Sequence, residues 1–305
     1  MDLSLHLGVP GQQPGRRSLI LLLGALLGCA EPPLETPTPT PTLSSLELRS
    51  MELEVALARW PHPDARLASI HATFPDEFGV RRVFVDAGHG ARGNPGNNSS
   101  LCDSEQDVML MLSQSLAQAL DATGHFDVRI SRSGDARVPY RRRLNDAAEW
   151  GAEVFLSLHS DARGSYRMWS PSPGRWCPRS DDAPGFSVLW SDEGDAVMAG
   201  QRQALAGAVA TMMRRAGFLP YDGADYVGLY GGDPAQPGAF VDRHQPRSRI
   251  MFLRRPRMPS IIIETHHALD PQAARRWREA ETQSAFHAAV IAALVEWFSP
   301  DTFRP

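Results

Sequence analysis

From residue 81 onward, short apolar runs alternate with longer segments in which apolar residues recur every three or four positions. The run Val83-Phe84-Val85 is typical of a buried strand, and the spacing of Val108, Leu112 and Leu116 predicts a helix. The same patterns predict strands at 82–86, 126–130, 154–158, 186–190, 250–253 and 260–264, and helices at 105–122, 138–150, 195–216 and about 271–298. Strands alternating with helices predict an α/β fold, with a mostly parallel twisted sheet and helices on both faces.

The N-terminal residues have the pattern of an export signal. Arg16 and Arg17 precede an apolar run at 18–27, which is too short to span a bilayer because a spanning helix needs about 20 residues. The run ends in Leu-Leu-Gly-Cys and resembles a bacterial lipoprotein signal, in which the cysteine becomes the lipidated first residue. We therefore expect residues 1–28 to be a signal peptide and Cys29 to be lipidated. An ordinary signal peptide with an incidental cysteine is the alternative.

Pattern and composition divide the rest of the chain into four parts. Residues 29–43 are dominated by alternating Pro and Thr, which favours an extended, semi-rigid tether. Apolar residues at helical spacing between 43 and 60 predict an N-terminal helical extension at 44–80. The α/β pattern then defines a catalytic domain at 81–299, followed by a short tail at 300–305.

Composition and charge exclude several classes of function. The 305-residue chain has a net charge of -4, so it lacks the positive field that recruits nucleic acid, and we expect no nucleic-acid partner. All 31 basic residues are arginine, which excludes lysine nucleophiles and Schiff-base chemistry. If Cys29 carries lipid, only Cys102 and Cys177 remain; a disulfide and two free thiols are both compatible with the sequence.

Four polar residues stand where a parallel sheet would gather them. His89 and His159 follow predicted strands, Glu264 ends another, and Glu105 opens a predicted helix. In open α/β sheets, ligands bind at the carboxyl ends of the strands. Two imidazoles and one carboxylate suit a catalytic Zn²⁺ with one position left for water, and a further carboxylate can move that water's proton. The sequence therefore predicts His89, Glu105 and His159 as metal ligands and Glu264 as the catalytic acid/base.

Four ordered motifs carry a family resemblance. They read VFVDAGHG at 83–90, EQDV at 105–108, FLSLHSDA at 155–162 and IIIET at 261–265, with supporting matches in SRSGD at 131–135 and at Arg143. Over about residues 82–297 the chain resembles the zinc-dependent N-acetylmuramoyl-L-alanine amidases. The resemblance implies the same ligands and acid/base, a metal-bound water as nucleophile, and cleavage of the amide between N-acetylmuramic acid and L-alanine.

The chain also departs from the pattern of that family. Ala87 replaces a usual proline, His266 and His267 follow the catalytic Glu-Thr, and residues 163–184 form a longer segment than a minimal member needs. These departures bear on which substrate the protein recognises. His266 and Arg143 are our candidates for substrate binding. Within the long segment, Trp169 and Trp176 could either stack on sugar or pack the loop.

The sequence therefore predicts a zinc-dependent peptidoglycan amidase, acting as a monomer in the periplasm and lipid-anchored to the outer membrane through Cys29. A zinc peptidase that cuts within the stem peptide is one alternative. A non-catalytic lipoprotein that binds the cell wall is another. Whether activity is gated stays open, since either 163–184 or 192–217 could cover the site.

Overall fold

The computed structural model of the protein describes residues 58–134 and 136–299. The predicted signal peptide with Cys29, the tether, most of the helix expected at 43–60, Asp135 of the SRSGD motif and the tail at 300–305 lie outside these residues. Residues 58–80 contain turns and extended segments but no helix. Among the described residues, no helix combines the length and the apolar composition needed to cross a membrane.

The described chain contains nine strands and six α-helices. The strands are β1 (Arg81–Ala87), β2 (Phe126–Ile130), β3 (Val154–Asp161), β4 (Arg167–Ser172), β5 (Arg175–Arg179), β6 (Ser187–Trp190), β7 (Tyr230–Gly232), β8 (Ala239–Asp242) and β9 (Ser260–His267). The helices are α1 (Glu105–Asp121), α2 (Tyr140–Trp150), α3 (Ala196–Ala216), α4 (Met251–Arg254), α5 (Pro271–Arg276) and α6 (Ala280–Phe298).

Seven of the strands form one sheet in the order β2-β1-β3-β9-β6-β8-β7. The pairs β1–β2, β1–β3, β3–β9 and β6–β8 are parallel, whereas β6 runs antiparallel to β9 and β7 antiparallel to β8. The prediction of a mostly parallel α/β sheet is thus confirmed.

Hydrophobic residues cover both faces of this sheet. Because side chains alternate along a strand, Ile261 and Ile263 of β9 pack into one core and Ile262 into the other. The first core contains buried residues of the long helices α1, α3 and α6, while the second contains those of α2 and the single turn α4. Helices therefore lie on both faces, with the three longest on the same side.

Three predicted elements differ from the structure. The apolar run at 250–253 was expected to be a strand, but Met251–Arg254 form a helical turn whose Phe252 and Leu253 are buried in the second core. The single helix expected at about 271–298 is two helices, with a break at 277–279 that begins at the buried Trp277. The segment at 163–184, expected to be irregular, contains the antiparallel hairpin β4–β5.

Candidate metal centre and active site

The three predicted metal ligands lie together at the carboxyl edge of the sheet. His89 stands in the loop after β1, Glu105 is the first residue of α1, and His159 lies near the end of β3. One nitrogen or oxygen atom from each lies within 4.8 Å of the others. His89 Nε2 is 3.1 Å from Glu105 Oε2, and His159 Nδ1 is 3.3 Å from Glu105 Oε1. These three side chains could hold one metal ion.

The backbone around the cluster is shaped to bring the side chains close. His89 has φ 57°, a left-handed conformation that non-glycine residues seldom adopt and that its surroundings must hold in place. A Cβ atom at Gly88 would lie 2.7 Å from His159 Cε1, and one at Gly96 would lie 2.5 Å from Glu105 Oε2. Glycine is therefore required at both positions, because any side chain would displace a predicted ligand.

A buried ion pair supports the loop that carries His89. Arg143 and Asp86 are both fully buried, with Arg143 Nη1 3.0 Å from Asp86 Oδ1. The guanidinium also donates to the carbonyls of Ala87, at 2.9 Å, and His89, at 2.6 Å. Ser157 donates to the other carboxylate oxygen of Asp86 at 2.6 Å. Arg143 thus acts on the site through the backbone of the loop, and its position does not support the predicted contact with substrate.

Neighbouring groups fix the Glu105 carboxylate. Its Oε2 accepts from the backbone N–H and the side-chain amide of Asn97, both at 2.9 Å, and its Oε1 accepts from Ser160 N–H at 3.0 Å. Burial alone would raise the pKa of Glu105, but hydrogen bonds and charge from His159 and His89 lower it well below its usual value. The carboxylate is therefore ionised, as a metal ligand must be.

The donor set fits zinc. Zn–N and Zn–O bonds of about 2.0–2.2 Å in tetrahedral geometry place neighbouring ligand atoms about 3.4 Å apart. The two imidazole–carboxylate separations of 3.1 and 3.3 Å are close to that spacing. His89 Nδ1 lies 3.0 Å from Asn94 Oδ1, which orients this imidazole as outer-shell partners do in metal sites. The enclosed Nε2 of His159 has no hydrogen-bond partner among the described residues.

Glu264 lies beside this cluster on β9, where it is paired in register with His159 of β3. The residue is partly exposed, yet its Oε2 is enclosed and lacks a hydrogen-bond partner among the described residues. Burial raises the pKa of Glu264 well above its usual value; the charges of Asp161 and Glu105 raise it further, and Arg163 opposes them. A carboxyl group with a raised pKa can exchange protons near neutral pH.

His266, the other predicted substrate residue, borders a cavity next to Glu105. Only 4% of its surface is exposed, and its ring stacks on Trp277 with centroids 5.4 Å apart. Burial lowers the pKa of His266 to about 3, and the electrostatic effects of His267 and Arg163 act in the same direction. The imidazole is therefore neutral at the edge of the site.

The two segments that could have covered the site differ in their positions. Helix α3 contributes to the first hydrophobic core, so the expectation that 192–217 could act as a cover is not supported for this helix. The hairpin β4–β5 is joined to the loop before α1 by a disulfide between Cys102 and Cys177. Trp169 packs against that loop, donating its indole N–H to Ser100 O at 2.7 Å, while Trp176 is 66% exposed.

The residues that hydrogen-bond to the candidate metal ligands were not predicted from the sequence. Asn94 and Asn97 lie in the Gly-rich loop, where a side-chain amide near a glycine is more often part of a turn. Beside Glu264, Tyr226 and Arg163 both hydrogen-bond to Asp161, Arg163 through Nε at 2.8 Å. The position of Asp161 two residues after His159 was a usable signal, but its partner Tyr226 lies 65 positions away in the sequence.

An α/β sheet that brings two imidazoles and a carboxylate together beside a second, enclosed carboxylate has the donor set of a zinc hydrolase. The chain belongs to the N-acetylmuramoyl-L-alanine amidase family, whose sequence profile matches residues 83–296. The confirmed resemblance covers more than half of the chain.

Individual relatives match shorter stretches. The chain is 36% identical over 85 residues to N-acetylmuramoyl-L-alanine amidase AmiA of Escherichia coli K12, covering 27% of this chain and 28% of that protein. It is 34% identical over 86 residues to the amidase CwlM of Bacillus licheniformis, covering 27% and 32%. The matched stretch therefore spans about three tenths of the length of these curated relatives.

Solved structures show the same fold over a longer range. Ami1 of Mycobacterium smegmatis, an N-acetylmuramyl-L-alanine amidase, aligns with 72% of this chain and 98% of its own, at 21% identity and a TM-score of 0.55. The apo form of Ami1 from Mycobacterium abscessus aligns with 72% and 100%, at 18% identity and a TM-score of 0.56. At these identities the likeness shows a shared fold.

Proposed function

We propose that this protein is a zinc-dependent hydrolase of the amide bond between N-acetylmuramic acid and L-alanine in peptidoglycan. The observation that carries the proposal is the meeting of His89, Glu105 and His159 within 4.8 Å, next to the enclosed carboxyl group of Glu264. Membership of the amidase family supports the choice of substrate.

In this proposal the chain's own residues position the reacting groups. His89, Glu105 and His159 would hold the zinc ion, which when bound lowers the pKa of a water molecule and polarises the substrate carbonyl. Glu264 accepts a proton from the attacking water and delivers it to the amide nitrogen as the bond breaks. Its raised pKa supports both steps, since the group must take up a proton and then release it.

The proposal also includes the location of the protein. The predicted signal and Cys29 would place the catalytic domain outside the cytoplasm, held by lipid at the outer membrane and acting as a monomer on the cell wall. Labelling with a radioactive fatty acid tests the anchor, because Cys29→Ser should remove the label. A processed but unlabelled wild-type protein would support the ordinary signal peptide.

Glu264→Gln tests the catalytic assignment. We expect the variant to keep about one zinc per chain, measured by elemental analysis, and to lose at least about a hundredfold in hydrolysis, because general acid–base catalysis contributes that much. Glu149→Gln makes the same chemical change on an exposed position of α2 and should behave as wild type. Normal activity in Glu264→Gln would refute its role.

Mass spectrometry of the released fragments identifies the bond that is cut. Free lactyl ends on intact glycan, together with stem peptides that begin with L-alanine, are the expected products. Shortened stems that stay attached to glycan would instead show a peptidase. Wild-type protein that contains no zinc and releases no fragment would support a non-catalytic wall-binding protein.

A further inference from the structure

A disulfide joins two distant parts of the chain three residues before the proposed ligand Glu105. Cys102 lies in the loop before α1, and Cys177 lies on β5, 75 positions later, with the two Cα atoms 5.4 Å apart. Cys102 has φ 66°, a left-handed conformation that non-glycine residues seldom adopt and that the surroundings must hold in place. The disulfide therefore fixes the loop at the residue where its backbone most needs support.

The start of α1 depends on this loop because its capping residue does not hold it. Within the described chain, the side chain of the N-cap residue Ser104 accepts no hydrogen bond from the first N–H groups of the helix. Its hydroxyl lies 3.4 Å from Pro95 O instead. Glu105 is the first residue of the helix, and its own N–H donates to Asn97 O at 2.9 Å. The position of this ligand is thus set by the segment at 95–104.

The hairpin β4–β5 adds two hydrogen bonds to the same loop. Trp169 donates its indole N–H to Ser100 O at 2.7 Å, and Arg175 donates from Nη2 to Cys102 O at 2.9 Å. Trp169 is paired in register with Cys177 across the hairpin, so the disulfide and the indole contact lie side by side. The hairpin thus holds the loop at two carbonyl groups and one sulfur atom.

The hairpin contributes little to the packed interior of the described chain. β4 and β5 form a two-stranded sheet of their own, and of their described residues only Cys177 is buried. Neither strand contributes a side chain to the two hydrophobic cores of the described chain. An isolated two-stranded hairpin is marginally stable in water. Breaking the disulfide should therefore release the hairpin, and its hydrogen bonds to the loop should be lost with it.

From this arrangement we propose that the Cys102–Cys177 disulfide positions Glu105, so that the affinity for zinc depends on whether the disulfide is formed. This inference rests on the proposed metal centre and adds a redox-dependent control to it. A loop freed of the hairpin has more conformations to lose when Glu105 binds the metal, and this loss weakens binding. Groups that orient a metal ligand from outside contribute about ten- to a hundredfold in affinity, and we expect the lower value here.

The two redox states are connected by thiol–disulfide exchange. A dithiol gives two electrons and two protons, the S–S bond breaks, and Cys102 and Cys177 become thiols while the dithiol is oxidised to a disulfide. Disulfides persist outside the reducing cytoplasm. If the chain is exported as its N-terminal residues predict, it gains its full affinity for zinc only after export.

The test compares the zinc affinities of purified full-length proteins by competition with a chromogenic chelator. The double variant Cys102→Ser/Cys177→Ser should bind zinc about tenfold more weakly than the wild type, because serine is similar in size but forms no covalent link. Reducing the wild type with a phosphine should produce the same loss and should leave the double variant unchanged; a dithiol would itself bind zinc. Cys29→Ser makes the same substitution at the third cysteine and should keep the wild-type affinity.

A further variant separates the positioning of Glu105 from general stability. Val209 of α3 is fully buried in the first core, so Val209→Ala lowers the free energy of unfolding without touching the loop. Its zinc affinity should equal that of the wild type. An equal loss of affinity in Val209→Ala would show a general effect of stability and would overturn the positioning role.

The remaining outcomes distinguish this inference from the proposed function. Equal affinities of the wild type and the double serine variant would overturn the role of the disulfide and leave the metal centre intact. Tighter binding by the reduced wild type would also overturn it, because the freed thiols would then act as ligands. Oxidised wild-type protein that binds no zinc would instead overturn the metal centre and the proposed function.

Discussion

Replacing Arg143 with methionine should both destabilise the fold and weaken the metal centre. Methionine fills much of the same volume but donates no hydrogen bond, so Asp86 loses its ion-pair partner and the carbonyls of Ala87 and His89 lose a donor. Both members of the pair are fully buried, and removing one member of such a pair costs about 3–5 kcal/mol. That is a large fraction of the roughly 5–15 kcal/mol by which a domain is stable.

Arg142 provides a matched control on the same helix. Its guanidinium pairs with Asp146 at the surface and its side chain is 68% exposed, so Arg142→Met should cost about 0.5 kcal/mol. Urea denaturation measures both changes, and competition with a chromogenic chelator measures zinc affinity. We expect weaker zinc binding only in Arg143→Met, because this side chain holds the carbonyl of His89 in its left-handed loop.

A double-mutant cycle isolates the buried pair. Combining Asp86→Asn with Arg143→Met should cost less than the sum of the single changes, by about 1–3 kcal/mol, because neither partner then remains as an unpaired charge. An Arg143→Met variant that is no more destabilised than Arg142→Met and binds zinc as the wild type does would show that the buried pair does not support the metal centre.

Two further predictions concern other parts of the domain. Gly96→Ala places a Cβ atom 2.5 Å from Glu105 Oε2 and should weaken zinc binding. Gly93 has a similar φ and nothing within 4 Å of a Cβ atom, so Gly93→Ala should cost only backbone strain of about 1 kcal/mol. Equal zinc affinities of the two variants in a chelator titration would contradict this prediction. Burial lowers the pKa of His287 to about 4 in the folded protein, against about 6.5 when unfolded, so the unfolded state binds more protons as the pH falls. The free energy of unfolding of the wild type should therefore fall by up to about 3 kcal/mol between pH 6.5 and 4, as measured by urea titrations. The variant His287→Gln can keep a hydrogen bond to Ser115, and its free energy of unfolding should fall less over the same range.

Five strands of the main sheet (β1, β2, β3, β6 and β9) and the candidate metal ligands could be predicted because the signals are local, whereas the short strands β7 and β8 were not predicted. Apolar runs of four to eight residues mark strands, and a polar residue after such a run falls at the edge of a parallel sheet. His89 and His159 were found in this way, and Glu264 was found as the charge that ends an Ile-rich run. The helical turn at Met251–Arg254 was missed because a run that short has no readable period, and burial of Phe252 decides its shape.

The roles of other residues depend on partners that are distant in the sequence. Arg143 was predicted to bind substrate because it matches a position of the family pattern, but its partner Asp86 lies 57 positions away in the sequence and both side chains are buried. The Nδ1 atom of His266 lies within hydrogen-bond distance of the hydroxyl of Thr265, and that hydroxyl donates to the carbonyl of His159, 106 positions away in the sequence. No pattern in the sequence records such a chain of hydrogen bonds.

The direction of β6 gives this domain a region that can change without disturbing the rest. Because β6 runs antiparallel to β9, with Ser187 beside Glu264, the connection at 162–186 leaves β3 and enters β6 at the same edge of the sheet. Ala183 and Phe186 of this connection are buried in the cores, so the part whose length can vary is the exposed part around the hairpin, where lengthening a surface loop costs little. The disulfide-linked hairpin packs here against the loop before α1, and residues of that loop line the cavity beside Glu105. Insertions in the connection can therefore alter the cleft, and new substrate preferences can evolve while the ligands stay where they are.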